Sequence, residues 1–366
     1  TITVFVSDGS ATNFTQFLVT VLPDPTLSTP PATNTLAGTP VTVAYTVGDV
    51  DLGPNSLTVT GASGNLKVVA DAGITAGGSG ADRTATVTPL AGRDGVAVIH
   101  LTVSDGTYGT TTSFPVMSLP SASVLFSDHF DYPAGSMNSM SADFWALRTG
   151  GSTTLRTTNQ QALIRSTTSG ESLVARLAGG PYASGALYYG FRATWTALPG
   201  NSAAEFIHLY DPTGPFRFGR IYTLTNSTAP GFFRLGAANV TTPQEFPTDL
   251  TTNVTYRIAV RYDIDGALNG DYIATRLWID PVDASSTYVD ALDSSSAVPI
   301  THVGLRQNAD MGTILIDDLK VGLNFADVLP PVLTPTQPRI TAQALVGNGF
   351  QMDFTAGPDD SPADFT

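Results

Sequence analysis

The sequence contains no cysteine and few charged residues. None of its 366 residues is cysteine, and charged residues make up 13%. Disulfides therefore contribute nothing to its stability, although a secreted animal protein of this size would usually carry them. In a threonine-rich chain with many predicted strands, this absence indicates a bacterial extracellular protein.

Long apolar runs and excess positive charge are also missing. No run of 18 apolar residues occurs, so the sequence predicts no membrane-spanning helix. Aspartate and glutamate number 31 against 17 lysines and arginines, which gives a net charge of −14. Nucleic acids and anionic membranes would repel such a surface, so we expect neither as a partner. Divalent cations are favoured, because carboxylates are the hard oxygen ligands that they prefer.

Residues for the common kinds of catalysis are scarce. A glycosidase needs two carboxylates beside one glycosidic bond. The chain has three glutamates, and the nearest match is Glu205 with Asp211 six positions later. We interpret Glu205 as a half-exposed strand residue. The chain has four histidines and no G-x-S-x-G or H-E-x-x-H motif. The sequence therefore predicts a protein that is not an enzyme.

The residues that are abundant favour β-strands. Short runs that alternate apolar and polar residues, rich in Thr, Val, Phe and Tyr, are interrupted by glycine, proline, asparagine or aspartate. No window shows convincing helical periodicity. A chain of this length exceeds one ordinary β-sandwich. We therefore predict an all-β fold of tandem sandwiches, with partial β-modules at both ends.

An internal repeat divides the first third of the chain. Residues 2–19 (ITVFVSDGSATNFTQFLV) match residues 99–116 (IHLTVSDGTYGTTTSFPV) at an offset of 99 − 2 = 97. One immunoglobulin-type sandwich takes about 100 residues. We therefore interpret residues 1–25 as the last hairpin of a preceding repeat and residues 26–120 as one complete repeat.

Four motifs carry a family resemblance in this part of the chain. They are TVGDVD at 46–51, SLTVTG at 56–61, GGSGADRTATVTP at 77–89 and VSDG at 103–106. With these motifs the segment resembles the Ig-like and cadherin-like repeats of large bacterial surface proteins. The resemblance implies an extracellular spacer or adhesion stalk, often stiffened by calcium. At the N-terminal edge, however, residues 34–38 (NTLAG) stand where such repeats usually carry an acidic stretch. In those repeats the acidic stretch contributes to the calcium site between domains, so this chain departs from the family pattern at that site.

Residues 121–327 are predicted to form a larger sandwich. About 200 residues of alternating strands without a helix suit a jelly roll, in which two large sheets enclose one core. DHFDY at 128–132, YRIAVRY at 256–262, LWIDP at 277–281 and IDDL at 316–319 resemble concanavalin A-like and laminin-G-like sandwiches of bacterial secreted proteins. The resemblance implies this fold, and it leaves open an alternative function as the carbohydrate-binding module of a larger secreted polysaccharide-active protein.

Residues 328–366 are predicted to be a proline-rich linker and the start of a further β-module. Open sheet edges are sticky, so we expect the partial modules to be completed by other copies or neighbouring modules of the same protein. Taken together, these features predict a secreted or cell-surface protein that acts as an adhesion unit or structural spacer in a bacterial surface or fibre.

Three aspartate clusters are predicted to bind calcium, because each offers several carboxylates within a short segment. The first pairs the 49–51 turn with the VSDG aspartate. The second joins the first and last strands of the larger sandwich, which we expect to be neighbours. The third is the turn DIDGALNGD. The residues are Asp49, Asp51 and Asp105; Asp128, Asp131, Asp317 and Asp318; and Asp263, Asp265 and Asp271.

Glycan binding needs exposed aromatic rings beside polar side chains. Trp195 and Trp278 alternate with polar residues and are predicted to be core residues. Tyr210 and Phe216, in the predicted loop YDPTGPFRF, form the candidate surface pair, with Arg217 beside them. These three residues are the predicted saccharide site.

Overall fold

The computed structural model describes residues 1–18, 23–151, 154–166, 170–214, 217–225, 228–239, 243–266, 274–293, 298–331, 339–346 and 349–355. Thr1–Leu329 form one compact unit and Pro330–Thr366 another. The prediction of an all-β chain of tandem sandwiches is confirmed. The strands of the first third are β1 Ile2–Ser7, β2 Thr12–Phe17, β3 Thr26–Leu27, β4 Thr33–Leu36, β5 Val41–Gly48, β6 Thr58–Ser63, β7 Ile74–Gly78, β8 Asp82–Val87, β9 Gly95–Ser104 and β10 Gly109–Leu119.

The first two strands form a separate antiparallel hairpin, in which Ile2 pairs with Phe17 and Val6 with Asn13. The next eight build the first sandwich from two four-stranded sheets, ordered β4-β10-β9-β6 and β3-β5-β8-β7. Strand β5 shows why they close on each other: in VTVAYTVG every second side chain is buried, so one face is apolar. Between the sheets lies a core of Val43, Tyr45, Val47, Ala85, Val87, Ala97, Ile99, Leu101, Val103, Phe114 and Val116.

The rest of the first unit is the second sandwich. Its elements are β11 Val124–Asp128, β12 Gly135–Ser136, α1 Met137–Met140, β13 Ala146–Thr149, β14 Arg156–Thr158, β15 Gln161–Arg165, β16 Glu171–Arg176, β17 Ala186–Ala197, β18 Ala204–Tyr210, β19 Arg217–Leu224, β20 Arg234–Ala238, β21 Gln244–Glu245, β22 Thr255–Asp263, β23 Thr275–Ile279, β24 Tyr288–Ala291, β25 His302–Gln307, β26 Thr313–Gly322 and α2 Phe325–Val328.

Two antiparallel sheets make up this sandwich. One is ordered β12-β14-β15-β26-β17-β22-β23-β24, with β11 also paired to β26, and the other β13-β16-β25-β18-β19-β20-β21. Trp145, Trp195 and Trp278 are fully buried, which confirms the prediction that the last two are core residues. The first and last strands are neighbours as predicted, with Asp128 opposite Leu319.

The two sandwiches meet without a free linker. Ser118 and Leu119 are the last residues of β10, and both side chains are buried at the junction. Val96 and Met117 of the first sandwich pack in the same apolar cluster as Phe126 of the second. Ion pairs cross the junction at Lys67–Asp131 (2.9 Å) and Asp94–Lys320 (2.7 Å). A cavity of about 190 Å³ lies there, lined by residues of both sandwiches.

The second unit contains one described hairpin. Strands β27 (Arg339–Val346) and β28 (Gly349–Thr355) pair antiparallel from Arg339–Thr355 to Val346–Gly349. The domain boundaries predicted from sequence stay a prediction. None of the described helices is long and apolar enough to cross a membrane.

Candidate functional site

The outer face of the seven-stranded sheet carries a cluster of polar side chains. Along β18 (AEFIHLY) and β19 (RFGRIYTL), Glu205 and His208 stand three residues apart, as do Arg217 and Arg220. The pairing of these strands shifts register on either side of Ile207, so the two-residue alternation of side chains is interrupted there. Glu205 lies close to the other three side chains, whereas Phe206 and Ile221 pack in the core. A half-buried polar face on a large sheet is unusual, because polar residues are normally solvated.

Glu205 is the centre of this cluster. Its carboxylate is 4% exposed and accepts a hydrogen bond from Arg217 Nε at 2.7 Å; it lies 3.0 Å from His208 Nδ1 and 3.5 Å from Arg220 Nη1. Burial alone would raise the pKa of Glu205, but His208 and Arg217 outweigh it and hold the pKa at about 2. Because this pKa is below the ordinary 4.5, the pairing stabilises the folded state at neutral pH and is lost as the pH falls from about 4.5 towards 2.

The His208 ring lies against Gly304 of the neighbouring strand β25. A Cβ on Gly304 would come within 2.4 Å of the His208 ring, so glycine is required at this close approach. Burial lowers the pKa of His208 against the opposing effect of Glu205. The imidazole is therefore neutral and buried between Glu205 and β25.

Two further arginines complete a cationic face. The Arg148 guanidinium lies 4.5 Å above the Tyr210 ring. Arg306, on β25, has a buried Nε with no hydrogen-bond partner among the described residues. Burial and the positive charges of Arg217 and Arg148 lower the pKa of Arg306. Four guanidiniums thus share this face with Glu205, in a chain whose net charge is −14.

The predicted saccharide residues fall partly in this cluster. Tyr210 and Arg217 were predicted to lie in one loop, but Tyr210 ends β18 and Arg217 begins β19, where they pair across the sheet. The strands extend further because both residues continue the antiparallel register. Phe216 lies outside the described residues. Glu205, predicted to be half-exposed, is buried because arginines cover it.

Sequence reasoning missed most of the cluster. Arg148 and Arg306 were not predicted, and His208 was interpreted as a hydrogen-bonded strand residue, although β18 and β19 each carry two titratable residues three positions apart. Their assembly depends on the order β13-β16-β25-β18-β19, which brings together residues more than 100 positions apart. No local pattern contains that order.

The second predicted calcium cluster is filled by the protein's own donors. Asp128 is buried and accepts hydrogen bonds from Trp145 Nε1 (2.7 Å), Tyr132 Oη (2.9 Å) and the Phe130 amide (2.8 Å). Burial raises the pKa of Asp128 to about 6. Asp131, in the same predicted cluster, pairs with Lys67 instead.

Asp317 and Asp318 lie beside His129, close enough for three metal ligands. Both His129 nitrogens face carboxylates, Asp318 at 2.5 Å and Asp94 at 3.4 Å. Burial alone would lower the pKa of His129, but these carboxylates raise it to about 10, so the ring is an imidazolium with no lone pair for a metal. Arg192 also pairs with Asp318. Asp318 is therefore already paired with positive charges of the protein, and calcium binding at this cluster stays a prediction.

The third predicted calcium cluster is also partly paired within the protein. Asp263 lies 3.3 Å from Arg261, and the Asp265 carboxylate accepts a hydrogen bond from the Gly185 amide. Asp271 lies outside the described residues.

The first cluster brings carboxylates together without an ion pair in the described part of the chain. A hydrogen bond with Asp49 raises the pKa of Asp51, and the charge of Asp105 adds to the effect. A divalent cation would relieve this repulsion. Calcium binding at Asp49, Asp51 and Asp105 stays a prediction.

Known proteins resemble this chain only weakly. No protein-family model matches the chain, and no curated protein is significantly similar in sequence. The receptor-binding domain of botulinum neurotoxin mosaic serotype C/D is 11% identical, with a TM-score of 0.31, over 50% of this chain and 43% of that one. The chain thus spans less than half the length of that neurotoxin domain.

Two carbohydrate-related structures are similar at the same level. The carbohydrate recognition domain of Emp47p is 13% identical, with a TM-score of 0.33, over 55% of this chain and 98% of that one. The CBM2 module of the evolved Dit of Lactobacillus casei BL23 phage J-1 is 12% identical, with a TM-score of 0.31, over 48% and 78%. These similarities assign neither a ligand nor an activity to this chain.

Proposed function

We propose that this chain is a non-catalytic, extracellular binding segment, in which the second sandwich binds a saccharide and the first sandwich is a spacer. The observation that carries the proposal is the half-buried polar face around Tyr210, Arg148 and Glu205. An aromatic ring beside fixed hydrogen-bond donors is the arrangement that saccharide recognition uses.

Binding without catalysis is supported by the state of Glu205. A glycosidase needs a carboxylic acid that is protonated near the working pH, and a second carboxylate across the bond. With a pKa of about 2, Glu205 is ionised at neutral pH and tied to Arg217. It therefore serves to hold the arginines in place.

A panel of soluble polysaccharides tests this proposal with the whole chain. We expect at least one polysaccharide to bind and Tyr210→Ala to weaken that binding about tenfold, because stacking and hydrogen bonding are lost together. Tyr108→Ala is the matched control, since Tyr108 is an exposed tyrosine in the first sandwich. No binding anywhere in the panel would overturn the proposal.

A second proposal concerns the hairpin β1–β2. Its residues Ile2, Val4, Val6 and Phe17 are 47–70% exposed, whereas their counterparts in the repeat, Ile99, Leu101, Val103 and Phe114, are fully buried against a second sheet. We propose that this apolar face packs on a second copy of the chain. Light scattering should show association that increases with concentration and is lost in Val4→Ser/Phe17→Ser; a monomer at every concentration would contradict it.

A further inference from the structure

Arginine is concentrated on one face of an otherwise acidic protein. Arg148, Arg217, Arg220 and Arg306 come from three different strands, β13, β19 and β25, and the electrostatic influence of Arg217 and Arg148 reaches Arg306. Like charges gathered on a half-buried face destabilise it unless something compensates them. Such an arrangement is retained where it serves a negatively charged ligand.

Arg217 and Arg220 are compensated by a carboxylate of the protein. Glu205 accepts the hydrogen bond of Arg217 Nε and lies 3.5 Å from Arg220. Arg220 also donates through its Nε to the backbone oxygen of Asn239. These two arginines are positioned by the protein itself.

Arg306 is compensated only in part: the charge of Glu205 favours its ionised form, but burial and the charge of Arg217 weigh against it. It forms no ion pair among the described residues, and its buried Nε has no hydrogen-bond partner there. A buried unpaired donor costs about 1–3 kcal/mol. A planar guanidinium with free donors fits a carboxylate or a sulfate, because each presents two oxygens at the matching spacing.

An aromatic ring contacts Arg148 and lies on the strand next to that of Arg306. Tyr210, the residue on which the proposed function rests, is covered by Arg148 at 4.5 Å. A sugar ring on Tyr210 would place its acidic substituent beside Arg148 and Arg306. The hydroxyl groups of a neutral sugar would not neutralise the charge of Arg306.

We infer that the outer face of the seven-stranded sheet binds an acidic saccharide, whose carboxylate or sulfate group pairs with Arg306 and Arg148. This inference rests on the proposed function and names its substrate class. The shared chemistry is a sugar polymer that carries a regular negative charge. Uronic acids and sulfated sugars are its two sources.

The test compares polymers that differ in charge, with the whole chain as the protein. Polygalacturonate supplies carboxylates, dextran sulfate supplies sulfates and dextran is neutral. We expect one of the two anionic polymers to bind at least tenfold more tightly than dextran, and binding to weaken as salt rises from 50 to 500 mM, since ion pairs are screened.

Variants separate this site from general attraction to positive charge. Arg306→Gln and Arg148→Gln should each weaken binding of the preferred anionic polymer about tenfold, because each removes a charge-assisted hydrogen bond. Arg93→Gln is the matched control: it removes one exposed arginine from the first sandwich and should leave binding within about twofold.

The outcomes distinguish the inference from the proposed function. Binding of dextran that Tyr210→Ala weakens, with no preference for either anionic polymer, would overturn the inference and leave the proposed function standing. Equal affinity of Arg306→Gln and the unchanged chain for the preferred polymer would also overturn it. No binding to any of the three polymers, or across the wider panel, would overturn both.

Discussion

Hairpins β1–β2 and β9–β10 have the same strand pairing but differ in burial. Their registers coincide: Ile2–Phe17 and Val6–Asn13 in the first correspond to Ile99–Phe114 and Val103–Thr110 in the second. One hairpin is exposed along both strands, while the other is the centre of a sandwich. Local sequence therefore determines the pairing, and the neighbouring sheet determines burial.

The turns of the two hairpins contain equivalent hydrogen bonds. Asp8 accepts hydrogen bonds from the amides of Ser10 and Ala11, as Asp105 does from Thr107 and Tyr108. Gly9 and Gly106 have backbone φ angles of +90° and +98°, which residues other than glycine rarely adopt. An Asp-Gly turn of this kind is sufficient to set the register of both hairpins.

The outward faces differ. The rings of Phe5 and Phe14 contact each other across β1–β2, with centroids 5.8 Å apart and planes tilted by 46°. At the same positions β9–β10 has Thr102 and Thr111, joined by a hydrogen bond of 2.8 Å. The exposed hairpin thus carries an aromatic pair of its own, while the buried hairpin relies on the sheet beneath it. An isolated hairpin is marginal in water, and such a pair supports it.

The largest expected contrast concerns the equivalent phenylalanines. Phe114→Ala should lower the free energy of unfolding of the first sandwich by about 3–5 kcal/mol, because a fully buried ring leaves a cavity. Phe17→Ala should change it by less than about 0.5 kcal/mol, since Phe17 is half-exposed. Urea unfolding followed by fluorescence measures both, and equal losses would mean that β1–β2 is part of the sandwich core.

Calcium should distinguish the two turns next. Asp105 lies near Asp49 and Asp51, so Ca²⁺ should raise the melting temperature and a chelator should lower it; at about 100 times the Kd the gain is about 2.7 kcal/mol. Asp105→Asn should reduce this gain, whereas Asp8→Asn should leave it unchanged. Calorimetry that shows no shift with either reagent would remove the calcium prediction.

A smaller effect is expected at the turn glycines. Gly106→Ala should destabilise the first sandwich by about 1–2 kcal/mol, because alanine is strained at φ +98° even though space is free for its Cβ. Gly9→Ala should leave that unfolding transition unchanged and instead speed hydrogen exchange in β1–β2. A shared effect on the global transition would contradict the independence of the two hairpins.

The smallest expected effect lies in the aromatic pair. Phe5→Thr/Phe14→Thr gives the exposed hairpin the outward face of the buried one and should weaken it by about 0.2–1 kcal/mol. Amide exchange rates of β1–β2 measure this loss. The reverse substitution in β9–β10, Thr102→Phe/Thr111→Phe, is the control. Unchanged amide exchange in β1–β2 of the Phe5→Thr/Phe14→Thr variant would show that the contact between the two rings contributes nothing.

Much of the fold follows from the sequence. Alternation in segments such as VTVAYTVG predicts strands, and the repeat at an offset of 97 predicts equivalent hairpins, because both depend on residues close together in the chain. The clustering of arginines at the candidate site could not be predicted in this way, because it does not depend on residues close together in the chain. Arg148 and Arg306 meet through strand order, and whether Asp318 binds a metal or an arginine depends on Arg192, which no spacing reveals.

The strand order also decides how each sandwich resists tension. In the first, β4 runs parallel to β10, so a pull on the two chain ends slides these strands past each other and loads all their hydrogen bonds at once. In the second, β11 and β26 are antiparallel with Val124 opposite Gly322, so the same pull peels the pair apart one bond at a time. The first sandwich should therefore hold under a force that opens the second.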